Sequence, residues 1–278
     1  MGKDDAVGAS RRHYATVLLA CHPGPALAVT AVVTALTLSL GADAGATAGL
    51  ALVVLTGQLS VGWSNDAVDA EADAAAGRTD KPIVRLGLDV TRVWRLAVVA
   101  LLTSVALSVL VLGWRIGLAH IGAVGAAWAY NMWLKDTVFS AVPYAVAFGL
   151  VPVVALGVAD PNASPPAWTV VVGACLGVGA HLANTARDIT SDSRVGRGGL
   201  ARRLGSVRSR AGAVVCFGAA AAAVVLGLPD ASGLLAAILL AQVLFLSLMA
   251  GVHGGRWFFP ALLTLAILDA AIVGIGVR

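Results

Sequence analysis

Asn65, Asp69 and Asp73 are followed by Gly77-Arg78, and Asn184, Asp188 and Asp192 by Gly196-Arg197. Both stretches read N-x3-D-x3-D-x3-G-R and begin 119 residues apart. A spacing of four puts each Asn and its two Asp on one face of a helix. Asp66 adds a further carboxylate to the first copy. Such oxygen-rich sets suit Mg2+, which takes one or two protein carboxylates and leaves its other positions to water and phosphate oxygens. Two acidic faces at one mouth predict divalent cations holding a diphosphate between them. A single copy reads equally well as a solvated acidic loop. The matched second copy argues against that, because acidic residues at membrane depth are expensive and serve function.

The elements that must position these residues are membrane spans. The 278-residue chain is 59% hydrophobic and 12% charged, with a mean hydropathy of +0.88. Soluble domains carry about 25% charged residues. A span needs about 20 mostly apolar residues, and nine candidates occur: 14–40, 45–68, 92–113, 116–134, 138–158, 167–187, 209–228, 232–250 and 256–276. The first is read as a retained span, not a signal peptide. The expected fold is therefore an all-α integral membrane protein of nine transmembrane helices. Two charged connections, 69–91 and 188–208, form cytoplasmic Asp-rich loop regions, each beginning inside a repeat. Of the 19 Lys and Arg, all but Arg115 and Arg278 fall on the side of those connections. This bias predicts a cell-membrane protein with its N-terminus and Asp-rich loops in the cytoplasm and its C-terminus outside. Ala, Gly and Val dominate the spans, which suits a tight bundle.

Other chemistries are disfavoured. Cys21, Cys175 and Cys216 are far apart and form no CxxC, so neither a disulfide framework nor a zinc site is expected. The five His form no HxxH or HxxxH pair. The net charge of +4 and pI near 9.3 are read as topology plus anion binding, and nothing resembles a nucleic-acid module.

Asn65-Asp66-x-x-Asp69-x-x-x-Asp73 together with Asp188-x-x-x-Asp192 resembles the UbiA superfamily of intramembrane prenyltransferases. Tyr130-Asn131-Met132-Trp133-Leu134-Lys135 is similar to its Y-x(3)-L-K segment, and Gly77 to Ile83 to its R-P-[IL] stretch, with Lys81 where Arg is commoner. Asn184 to Asp192, followed by Arg203-Leu204-Gly205, looks like the menaquinone-type branch. The first motif looks more like the 4-hydroxybenzoate and archaeal ether-lipid branches. His22-Pro23 stands where many members have Arg-Pro, and Asn184 where several have Asp.

The resemblance covers nearly the whole chain and implies one prenyltransferase domain over 1–278. It implies that an isoprenyl diphosphate lies between the two clusters, bridged by Mg2+, with its tail in the bundle or lipid. Asn65, Asp66, Asp69 and Asp73 would carry one metal set, and Asp188 and Asp192 with Asn184 the other. Lys135, Arg78, Lys81, Arg187 and Arg197 are candidate diphosphate contacts. Tyr130 is either a diphosphate or cation contact or a plain interfacial aromatic. The prenyl cation would pass to a small acceptor, aromatic or a quinone precursor. Two other readings remain: a terpene cyclase of the same fold, disfavoured by few mid-span aromatics, and a cation-coupled transporter, disfavoured because both motifs sit at one mouth.

Overall fold

The computed structural model describes residues 17–79, 81–192 and 198–228, with positions 241, 242 and 245, and for 187–192 the backbone alone. Its elements are α1 (Pro23–Ser39), α2 (Ala44–Ala75), α3 (Pro82–Leu86), α4 (Val90–Ala129), a π-helical turn (Tyr130–Leu134), α5 (Val142–Gly149), α6 (Val151–Ala159), α7 (Ala167–Asp192) and α8 (Leu200–Gly227). No strand occurs among the described residues. Five helical segments are long and apolar enough to cross a membrane: Ala44–Ala75, Val90–Leu134, Val142–Ala159, Ala167–Ala186 and Leu200–Gly227. The expected spans 232–250 and 256–276 lie outside the described residues.

Local signals set the helix starts. Asp43 caps α2 by accepting from the amides of Gly45 (2.8 Å) and Ala46 (3.0 Å), and Asp89 caps α4 through Thr91 (2.9 Å). Pro23, Pro82, Pro143 and Pro152 open α1, α3, α5 and α6, where the missing N–H costs nothing. The expected span 138–158 is present as the one segment Val142–Ala159, interrupted at Leu150 between α5 and α6.

Helix α4 is two spans in one. Gly113 has φ 75° and ψ 165°, a conformation open essentially to glycine. The Ser108 hydroxyl and His120 Nδ1 are 2.8 Å apart, yet twelve residues of straight helix would separate them by about 18 Å. The chain therefore doubles back at Gly113, as the expected spans 92–113 and 116–134 require. In α8, Gly205 (φ 78°, ψ 166°) sets a short first segment apart from the span.

The acidic motifs are helical, not loop. Helix α2 runs 32 residues, to Ala75, or about 48 Å, against about 30 Å of hydrocarbon. It therefore carries Asp69 and Asp73, which the sequence reading had assigned to the first charged connection. Alanines at 67, 70, 72, 74 and 75 favour this extension. Likewise α7 continues to Asp192. Packing joins α2 to α4 and α7 to α8. Large apolar side chains such as Leu110, Trp114, Val215 and Leu226 face outward, as lipid contact demands.

Candidate active site

The last turns of α2 bury three carboxylates: Asp66, Asp69 and Asp73 are 2%, 5% and 2% exposed. Buried charges are costly unless paired, and each of these meets a cation. Asp66 Oδ1 accepts from Lys81 Nζ at 3.0 Å and from His22 Nε2 at 2.9 Å. Lys81 Nζ also lies 3.7 Å from Asp73 Oδ2, and Arg78 Nη1 lies 3.7 Å from Asp73 Oδ1. Lys135 Nζ pairs with Asp69 Oδ1. Asp66 Oδ2 is buried with no hydrogen-bond partner among the described residues. Asn65 is half-buried on the same helix.

Three segments deliver those partners. The first follows α2: Gly77 turns the chain at φ 64° and the Arg78 amide donates to the Asp73 carbonyl at 3.0 Å, closing the helix. Ile83 and Leu88 are buried in one cluster with Trp63, Ala67 and Ala70. That apolar anchor folds α3 back along α2 and brings Lys81 over Asp66.

The second is the stretch 17–22. The Trp63 indole donates to the Val17 carbonyl at 2.9 Å. A Cβ at Gly62 would stand 1.9 Å from the Cys21 carbonyl oxygen, so only glycine admits this approach. His22, next in the chain, then reaches Asp66, one turn beyond Gly62.

The third is the π-helical turn. Asn131 donates to the Val61 carbonyl (3.0 Å) and the Ser64 hydroxyl (2.9 Å), and the Trp128 indole to the Ser60 hydroxyl (3.1 Å). These bonds fix the end of α4 along α2. The extra residue in the turn, with the Lys135 amide donating to the Tyr130 carbonyl at 3.0 Å, orients Lys135 toward Asp69. Single π turns are frequent at functional sites.

The second repeat is bracketed by contacts with this same segment. On α7, His181 packs 5.6 Å from the Tyr130 ring and 4.6 Å from Tyr144, with its Nε2 3.0 Å from the Ser140 hydroxyl. Past the repeat, the Leu200 amide donates to Ser140 Oγ at 3.1 Å, and a Cβ at Gly198 would lie 2.2 Å from the Asp136 carbonyl oxygen. The chain thus leaves and returns to the turn that carries Lys135. Asn184 is half-buried on α7. The side chains of Arg187, Asp188, Asp192 and Arg197 lie outside the described residues.

Of the residues expected from sequence, the structure brings together Asp66, Asp69, Asp73, Arg78, Lys81 and Lys135. Tyr130 sits beside them among aromatic rings, 5.1 Å from Tyr144. Among the described residues no three His, Cys, Asp or Glu converge on one metal position; Lys81 stands between Asp66 and Asp73, and Lys135 takes Asp69. The donors present are oxygens, which fit a hard cation, and Asp66 Oδ2 is the acceptor left to receive one. Sequence reasoning missed His22, Asn131, Ser140, Tyr144 and His181 as parts of this region. Two of them carried a signal: His22 as a departure from the resembled Arg-Pro, and Asn131 by its place inside the Tyr130–Lys135 segment.

The structure resembles a UbiA homologue from Archaeoglobus fulgidus bound to DMAPP and Mg2+, with a TM-score of 0.72 and 17% identity, covering 95% of this chain and 100% of that one. The same homologue bound to GPP and Mg2+ gives 0.72 and 16%, covering 93% and 99%. A structure of digeranylgeranylglyceryl phosphate synthase gives 0.65 and 14%, covering 94% and 98%. At such identities the likeness concerns the fold. No curated protein sequence matches the chain. The sequence profile of the UbiA prenyltransferase family matches residues 25–256, nearly the whole described chain, and with the fold in agreement the chain belongs to the UbiA prenyltransferase family.

Proposed function

We propose that this chain is a Mg2+-dependent intramembrane prenyltransferase that ionises an isoprenyl diphosphate and transfers its prenyl group to a small aromatic or quinone-precursor acceptor. The observation that carries the reading is the acidic face of α2, three buried carboxylates met by Lys81, Arg78 and Lys135, with His22 on Asp66 as well. The A. fulgidus homologue bound to DMAPP or GPP with Mg2+ supports the same ligand class.

Asp66, Asp69 and Asp73 with Asn65 would hold one metal set, and Asp188 and Asp192 with Asn184 the other. When bound, the metal neutralises charge building on the departing diphosphate, so that the allylic C–O bond ionises. Lys81 and Lys135 add positive charge against the same leaving group. Arg78, Arg187 and Arg197 contact its outer oxygens, where a planar guanidinium binds phosphate bidentately. Tyr130 would contact the diphosphate or face the prenyl cation. The apolar bundle takes the prenyl tail and excludes water that would otherwise capture the cation. All of this belongs to one domain of nine spans, with the N-terminus and both acidic repeats at the cytoplasmic face.

A second reading, a cyclase in which the prenyl chain captures its own cation, is favoured by one feature. Tyr130, Tyr144, Phe148 and His181 form a continuous ring cluster, the kind of surface that stabilises cations. Product analysis separates the two. Purified protein fed defined prenyl diphosphates should form prenylated product only when an acceptor is added. Hydrocarbon from diphosphate alone would support the cyclase.

A further inference from the structure

Two donors meet on one oxygen of Asp66. His22 Nε2 at 2.9 Å and Lys81 Nζ at 3.0 Å both address Oδ1, while the buried Oδ2 has no hydrogen-bond partner among the described residues. A carboxylate offers acceptor sites on both oxygens, and a bare buried acceptor loses its water without compensation. A simple ion pair would gain by sharing its donors between the two. The one-sided arrangement leaves Oδ2 as the oxygen that a cation would complete. Because an ionised carboxylate only accepts, the hydrogen of the His22 bond lies on Nε2.

His22 is held in this role by its surroundings. It is the one non-glycine residue at positive φ among the described residues (φ 53°, ψ 64°). It also directly precedes Pro23, which disfavours helical conformations at the residue before it. Such strain persists where packing over-determines it, and it clusters at functional sites. Here the packing is the Trp63–Val17 bond, the close approach of Cys21 to Gly62, and the buried cluster of Val17, Ala20, Cys21 and Trp63.

We propose that His22 is a positioning residue of the prenyl-transfer site: with Lys81 it fixes Asp66 Oδ1 so that Oδ2 is presented to the divalent cation accompanying the diphosphate. This rests on the reading that the α2 acidic face binds metal. His22 touches neither metal nor substrate. It sets the rotation of a carboxylate that does.

Mn2+ is the probe, with inorganic diphosphate as the anion and the full chain in detergent. Free Mn2+ is read by electron paramagnetic resonance, and melting temperature is followed with and without Mn2+. Wild type should bind Mn2+ in the presence of diphosphate; no binding would overturn the metal-site reading itself, and with it this proposal. His22→Ala should weaken Mn2+ binding about tenfold or more, the usual consequence of removing a group that orients a ligand. His22→Gln, whose amide nitrogen reaches the place of Nε2, should recover most of that loss. Gly62→Ala should lose Mn2+ in the same way without altering His22, because its methyl displaces the Cys21 carbonyl. A purely structural His22 would lower the melting temperature equally with and without Mn2+, whereas the positioning role removes the Mn2+-dependent rise. Wild-type Mn2+ affinity in His22→Ala, or in Gly62→Ala, overturns the proposal.

Discussion

Lys135 separates a functional cation from an interfacial anchor. In the sequence the adjacent Asp136 offers Lys135 an alternative ionic partner. The structure pairs Lys135 instead with Asp69, both largely buried, at 13% and 6% side-chain exposure. Removing one partner of a buried pair leaves the other charge uncompensated and costs stability, so a purely anchoring role would lower the melting temperature of Lys135→Ala and leave its kcat nearly unchanged. If Lys135 meets the departing diphosphate, its charge is felt mainly in the transition state. Lys135→Ala should then lower kcat at least about 10²-fold, or about 2.7 kcal/mol, with a smaller change in prenyl diphosphate KM. Asp136→Ala should change little, and Lys135→Arg should rescue in part, since a planar fork does not reproduce a compact ammonium. Steady-state kinetics on the three variants decides; equal and small effects from Lys135→Ala and Asp136→Ala would return Lys135 to the anchors. Lys135, Lys81 and the α2 carboxylates were legible because their motifs are local. His22 was not, because its contact with Asp66 spans 44 residues and no periodicity marks it.

At the scale of elements, turns decide where the chemistry sits. The glycine-rich stretch near 113 signalled a break, and the structure makes it a hairpin on Gly113 at φ 75°. Gly113→Ala should cost about 1–3 kcal/mol of stability, the usual penalty for a side chain in such a conformation. It should leave prenyl transfer nearly intact, because Lys135 lies about 33 Å of helix away. Melting in detergent and an activity assay on the same preparation check both halves; loss of activity without loss of stability would contradict the expectation. Other element features were not legible. The π turn at Tyr130–Leu134 carries Asn131, which bonds to α2, a contact that sequence spacing does not report. The break at Leu150 falls in an apolar run where hydropathy is blind to it, and only Pro152, at the start of α6, marks it in the sequence. The extension of α2 through Asp73 was implicit in the four-residue spacing, but hydropathy ended the span at 68 because the acidic turns are polar.

For the whole molecule, the account requires one reactive mouth. Lys81 folds back on α2, while Leu200 bonds to Ser140 beside Lys135, so the connections after both repeats gather near one end. Cysteines introduced at 80 and 200 should label from the cytoplasm, and one at 162, between α6 and α7, from outside. Labelling of 80 and 200 from opposite faces would separate the two repeats and end the shared-site account. The repeat, the charge bias and the hydropathy made this architecture legible in outline. How the two halves meet was not, since it depends on close packing around Tyr130, Ser140 and His181. The most direct measurement is release of inorganic diphosphate from an isoprenyl diphosphate, in the presence of acceptor, by wild type, Asp69→Ala and Asp188→Ala. The account predicts release by wild type only with Mg2+, and loss in each folded variant of well over a factor of about ten, or about 1.4 kcal/mol. Full turnover in excess EDTA, or either variant retaining more than about a tenth of the wild-type rate, would contradict a single diphosphate shared by both repeats.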